Sequence, residues 1–162
     1  MIYCYHMKLL ILLLSLAVIN FSIAQQNTCI DANAFCSSNQ YDFPNATSGS
    51  APVGPDYGCL GSEPNPIWYY MEIGTSGTVD ILLQQTTGAN GSGSTIDVDF
   101  AMWGPFTSLV AGCNSIMTGN LPPIQCSYSA SYSEDLGLGI EGGSGSGVST
   151  PPAAVSGQVY IV

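Results

Sequence analysis

Asp97 and Asp99 are the residues of this 162-residue chain best placed to do chemistry. They stand two apart in Thr95–Trp103, which reads as a strand, and successive strand side chains point to opposite faces. Both carboxylates therefore share one face and repel each other. A hard cation would relieve that repulsion, and Ca2+ takes several oxygen ligands. Glu72, Asp80, Glu134 and Asp135 are available to complete a shell. Asp97-Val98-Asp99 is no EF-hand, since the loop glycine and distal glutamate are missing. The plainer role is a pair of solvated or turn-capping aspartates. The expected cofactor is therefore none, or Ca2+ at Asp97 and Asp99.

Aromatic side chains offer a second kind of chemistry. Along Ile67–Ile73, Trp68 and Tyr70 share one face and Tyr69 takes the other, while Trp103 shares a face with Asp97 and Asp99. An exposed ring could stack on a sugar, because aromatics join an apolar face to a polar tip. Trp68, Tyr69 and Trp103 are the candidates, with core packing as the competing role.

Catalysis fits poorly. The chain has one basic residue, Lys8, and one histidine, His6, and all 11 carboxylates lie after them. Serine nucleophiles have no histidine or lysine base beyond Lys8. No Gly-x-Ser-x-Gly elbow, phosphate-cradling loop or zinc motif is present. Only carboxylate pairs remain, as in glycoside hydrolysis, and Asp97/Asp99 or Glu134/Asp135 are ordinary residues for an acidic domain. A non-enzyme is expected. The charge repels nucleic acid and anionic membrane surfaces. Its simplest role is to keep an otherwise uncharged β-protein in solution.

Residues 1–24 read as a secretory signal. Lys8 is the positive end, Leu9–Val18 the apolar run, and Ser22-Ile23-Ala24 the small-residue cleavage site before Gln25. About ten apolar residues is short against the roughly 20 of a membrane span. The protein is thus expected outside the cell, not inserted in the membrane, with residues 25–162 forming one domain.

Five cysteines follow the signal: Cys29, Cys36, Cys59, Cys113 and Cys126. An odd count implies one unpaired thiol or a partner elsewhere. Cys113 and Cys126 flank a turn-rich stretch and can close a local loop, worth about 3 kcal/mol. For the second bridge Cys36–Cys59 is favoured over Cys29–Cys36. The spacing lacks any CxxC, so a metal site on these thiols is disfavoured.

The elements that must position these groups read as strands. Residues 67–73 and 78–84 are runs of β-formers, joined by Gly74-Thr75-Ser76-Gly77 as a short hairpin connection. In residues 95–103, Ile96, Val98, Phe100 and Met102 face a core, and Gly104-Pro105 ends the strand. One helical turn is expected near Thr107–Ala111, and a further strand over the Tyr/Ser alternation of residues 127–133. Residues 137–157 are rich in Gly, Ser and Pro and read as a flexible loop. Gly157–Val162 opens another strand, in which the chain stops, so more of the protein is expected downstream. Short strands without crossover helices predict an antiparallel β-sandwich or jelly roll, stabilised by disulfides.

Gly54–Tyr70, Asp97–Phe106 and Cys126-Ser127-Tyr128-Ser129, together with Cys29…Cys36 and Phe43-Pro44, carry a resemblance. In this order they resemble an N-terminal β-sandwich module of large secreted surface proteins from gliding bacteria. Those proteins often end in gliding-motility-associated or type IX secretion sorting domains. The resemblance spans about residues 29–162. It implies a non-catalytic jelly-roll-like domain related in plan to CUB and bacterial pre-peptidase C-terminal domains. Two departures stand out. Many relatives carry a cysteine where this chain has Met102, and Gly142–Gly147 looks inserted.

Three functions follow as expectations. The first is a surface or adhesion module that binds a glycan or cell-surface partner. The second is an accessory domain of an extracellular hydrolase whose catalytic part lies beyond Val162. The third is a structural spacer or cap.

Overall fold

The computed structural model describes residues 27–36, 49–63, 65–144 and 147–162. The expected signal over 1–24 and the Phe43-Pro44 pair lie outside them. Strands predominate: β1 (Asn33–Ala34), β2 (Tyr69–Glu72), β3 (Val79–Gln84), β4 (Phe100–Phe106), β5 (Gln125–Ser127), β6 (Ser133–Leu138) and β7 (Val159–Ile161). One short helix, α1 (Leu109–Ile116), interrupts them. A five-stranded sheet runs β1-β2-β7-β4-β5, and β3 pairs with β6 in a second, two-stranded sheet. All pairings are antiparallel except β1 with β2. No helix of the described residues is long and apolar enough to cross a membrane.

Strand β4 is buried on both faces. Phe100 and Met102 enter a cluster with Met71, Ile73, Leu136, Leu138 and Tyr160, drawn from both sheets. Ala101 and Trp103 enter another with Trp68, Cys113, Ile116, Val159 and Ile161. The alternation expected along this segment is real, but its second face is not open to solvent. Helix α1 and the cystine-bearing segments cover it. Strand pairing also begins later than expected, at Phe100, so Ile96 is exposed and Val98 half-buried. Nor does Gly104-Pro105 end the strand. Pairing resumes at Phe106 after a register irregularity, across a cis Gly104–Pro105 bond. Gly104 has φ 143°, and a Cβ there would come within 2.6 Å of the Tyr160 ring and 3.0 Å of Val159 O. A side chain has no room at that crossing.

The expected hairpin between residues 67–73 and 78–84 does not form. β2 pairs with β7, β3 pairs with β6, and residues 74–77 carry the chain from one sheet to the other. Gly77 makes an isolated bridge to Ala154 there. The apolar inner faces of β2 and β3 meet across the cluster and do not lie side by side. The helical turn expected near Thr107–Ala111 is a full helix starting at Leu109. Ser108 caps it, its hydroxyl oxygen accepting from the Ala111 N–H at 3.2 Å. The Tyr/Ser alternation of 127–133 is mostly a turn between β5 and β6.

The disulfides differ from both expected pairs. Cys29 joins Cys113 and Cys59 joins Cys126. Cys113 on α1 and Cys126 on β5 each fasten a distant, irregular upstream segment, so the local Cys113–Cys126 loop and the Cys36–Cys59 bridge do not form. Cys36 is disulfide-bonded too, and none of the described cysteines is the leftover thiol that the odd count implied.

The stretch 137–157 starts inside β6 and is tied down repeatedly. Gly142 and Ser149 exchange two main-chain hydrogen bonds (3.0 and 3.1 Å), Gly139 N–H reaches Pro151 O at 2.8 Å, and Gly143 N–H reaches Asp135 O at 2.5 Å. Gln125, buried on β5, receives the Gly137 N–H at 2.9 Å and donates to Ser149 O at 3.1 Å. At Gly147 a Cβ would fall 1.6 Å from Cys126 O. The low-complexity segment is therefore a seam, joining the β5 edge of one sheet to the β6 edge of the other. Glycine is what lets the backbone approach so closely.

Candidate binding surface beside a buried glutamate

The carboxylates fall into three environments. Glu134 projects inward from β6, 2% exposed. Ser127 and Ser144 hydroxyls each donate to its Oε2 at 2.5 Å, and the Ser129 hydroxyl donates to Oε1. Burial alone would raise its pKa, but the three serine donors together hold the carboxyl below its usual value. With no cation after Lys8 in the chain, hydroxyls are what compensate the charge. One oxygen pair thus ties β5, the β5–β6 turn, β6 and the glycine seam together.

Asp99 is half-buried at the entry to β4. Its Oδ1 accepts from the Ser129 N–H at 3.1 Å. Burial raises its pKa, opposed by that hydrogen bond and reinforced by the charges of Asp97 and Glu134. Asp97 is exposed. Next to both runs the turn 128–132, since the Val98 N–H donates to Ser131 O at 2.9 Å. Tyr128 (52% exposed) and Tyr132 (44%) stand on this turn. The turn thus carries two exposed phenol rings, the Tyr128 ring reaching toward Gly61, and its main chain is bonded to the segment that bears the two carboxylates. Rings of this kind stack on apolar faces of a ligand, and carboxylates accept its hydroxyl protons.

The expected sugar-stacking aromatics lie elsewhere. Trp68 and Trp103 are buried and stacked, with ring centroids 5.6 Å apart, and Tyr57 packs on both. The Trp103 indole N–H donates to Leu121 O at 3.2 Å. Both tryptophans are core, because α1 and the disulfides close that face. Tyr69 is half-buried on the opposite face, edge-on to Phe35, and burial pushes its hydroxyl up to about 12.

Of the carboxylates proposed to complete a Ca2+ shell, Glu134 lies near enough for its charge to act on Asp99, but its oxygens already accept from three serines; Glu72, Asp80 and Asp135 lie elsewhere. Glu72 stands opposite Val159, which itself faces Phe106, at the far end of β4 from Asp99. Asp80 and Asp135 point to the exposed side of the small sheet, away from Glu134. Adjacent strand positions face opposite ways, which also separates Glu134 from Asp135 as a pair. Among the described residues no three histidines, cysteines or carboxylates gather as a metal site.

One apolar groove of about 280 Å3 runs over the Cys29–Cys113 bridge, between Ile30, Pro52 and Met117. Thr28 and Asn114 are its polar side chains, and no titratable side chain lines it.

Tyr128 and Tyr132 were legible only as part of a Tyr/Ser alternation, whose strand reading puts both rings on one face of a sheet. The turn that exposes them leaves no period in the sequence. No protein-family model, curated protein or solved structure matches this chain.

Proposed function

We propose that this chain is a secreted, non-enzymatic binding module, jelly-roll-like in plan, that attaches to a glycan through the turn 128–132 and Asp97. The observation that carries the reading is the joint exposure of Tyr128 and Tyr132 on a turn hydrogen-bonded to the Asp97–Asp99 segment and anchored through Ser129 to Glu134. Rigid aromatics on a well-held turn bind at low entropic cost. The leader-like residues 1–24, the two disulfides and the resemblance to surface modules of gliding bacteria support an extracellular setting. The apolar cluster shared by β2, β4 and β7 with β3 and β6 supports a two-layer sandwich. A neutral or cationic sugar suits a surface with carboxylates and no basic side chain.

A glycan array probed with the chain tests this. Binding to a defined glycan class is expected, weakened about tenfold by Tyr128→Ala with Tyr132→Ala while the melting temperature holds. Absence of binding to every glycan, or binding indifferent to both tyrosines and Asp97, defeats the reading.

A further inference from the structure

We propose that the outer edge of β3 is a strand-addition site that pairs, antiparallel, with β3 of a second copy of this chain. Residues 79–84 face residues 138–133 in register, and the Gln85 N–H donates to Tyr132 O at 3.0 Å, continuing that register. Antiparallel partners alternate between hydrogen-bonded and non-hydrogen-bonded pairs. Val79, Ile81 and Leu83 therefore aim their main-chain groups at β6, and Asp80, Leu82 and Gln84 aim theirs away. The outward groups of β6 obey the same rule and are occupied, Gly137 N–H by Gln125 and Asp135 O by Gly143.

The other sheet edges are closed or short. The seam covers β5 and β6, and β1 has two residues. β3 has six, and among the described residues nothing meets the outward main chain of Asp80, Leu82 and Gln84. All three are exposed, Leu82 at 57%. The edge carries no lysine, proline or bulge, the usual protections of a bare strand.

What fits this edge is the edge itself. A two-fold pairing centred on Leu82 sets Leu82 against Leu82, Asp80 against Gln84 and Ile81 against Leu83. Each carboxylate then meets an amide donor, no carboxylate meets another, and the apolar inner face of β3 continues across the join. A two-fold interface requires such self-complementarity. Because the copies share a net charge of −10, their long-range repulsion opposes the pairing, and salt should tighten it. A strand of basic residues would respond to salt in the opposite sense.

Sedimentation velocity of the chain, up to about 1 mM because one edge buries the area of a weak interface, is the test. It should be run at about 0.05 M and about 0.5 M NaCl. A reversible dimer, several-fold tighter at high salt, is expected. Leu82→Glu should weaken it at least tenfold or so, and Gln84→Lys should tighten it about threefold at low salt. Hydrogen exchange should show new protection at the Asp80, Leu82 and Gln84 amides on dimerisation, with Ile81 and Leu83 already protected. Melting curves confirm that the variants fold. A monomer throughout, a dimer indifferent to both substitutions, or a dimer without protection at those three amides overturns the proposal.

Discussion

The two ends of β4 are held by opposite kinds of physics. At the Trp103 end, cohesion is apolar and covalent: two stacked indoles, helix α1 and the Cys29–Cys113 bridge. At the Asp99 end it is polar: one buried carboxylate gathers three serine hydroxyls, and glycine backbone fills the rest. The first holds no carboxylate and fails when volume is lost. The second depends on one ionised group and fails when that group is removed or neutralised. A chain without cations after Lys8 must compensate a buried carboxylate with uncharged hydrogen-bond donors, and here serine hydroxyls do so beneath the candidate binding turn.

The largest effect that could break the contrast is loss of volume at the apolar end. Trp103→Ala should cost about 3–5 kcal/mol by denaturant unfolding, with the turn 128–132 still protected in hydrogen exchange up to global unfolding. Glu134→Ala should cost about 1–3 kcal/mol, because three hydroxyls lose their acceptor. Its signature is early exchange at Gly143 and Ser144, with the α1 amides unmoved. If both variants loosen the same amides, the two ends are one unit and the contrast fails.

Acid sharpens the comparison. Glu134, held below its usual 4.5, contributes stability that is present above that value and lost as pH falls through its folded-state pKa. Asp99, held above its usual 3.8, works the other way, since its buried charge is relieved on protonation. Melting temperature against pH should therefore fall less steeply in acid for Glu134→Gln than for the unaltered chain. Asp99→Asn should raise the midpoint slightly at neutral pH. The smallest effect lies in alkali. Tyr57 and Tyr69 are both pushed up to about 12 from 10, mainly by burial, so their contribution is complete below pH 10 and lost between about 10 and 12. Ultraviolet titration should show Tyr57 and Tyr69 ionising in that late range, with Tyr160 also delayed by burial, together with loss of folded signal.

Local order was readable in the sequence where a residue's neighbours along the chain decide it. Phe100 to Trp103 alternates as expected, and β2 and β3 fall within the expected runs. What failed was every statement about which distant segment lies alongside. The Gly74–Gly77 turn looks like a hairpin locally, but hairpin and sheet-to-sheet crossing differ only in where β6 and β7 arrive. Cysteine connectivity has the same defect, since spacing does not choose among pairings. Residues 137–157 have a composition that suits both a mobile loop and a packed seam. The difference is the 1.6 Å that a Cβ at Gly147 would leave to Cys126 O. Glu134 was visible only as a possible Ca2+-shell or carboxylate-pair residue; its three hydroxyls come from Ser127 and Ser129 and from the distant Ser144, which no spacing brings together.

The position of β7 bears on the order of assembly. Residues 159–161 supply the strand between β2 and β4, so neither neighbour can complete its ladder until that late segment arrives. A nascent chain short of it carries two bare, apolar-flanked edges and no local pairing to hide them. Folding must then wait on contacts of long sequence separation, which makes it slow and delays closure of the sheet until residues 159–161 are present.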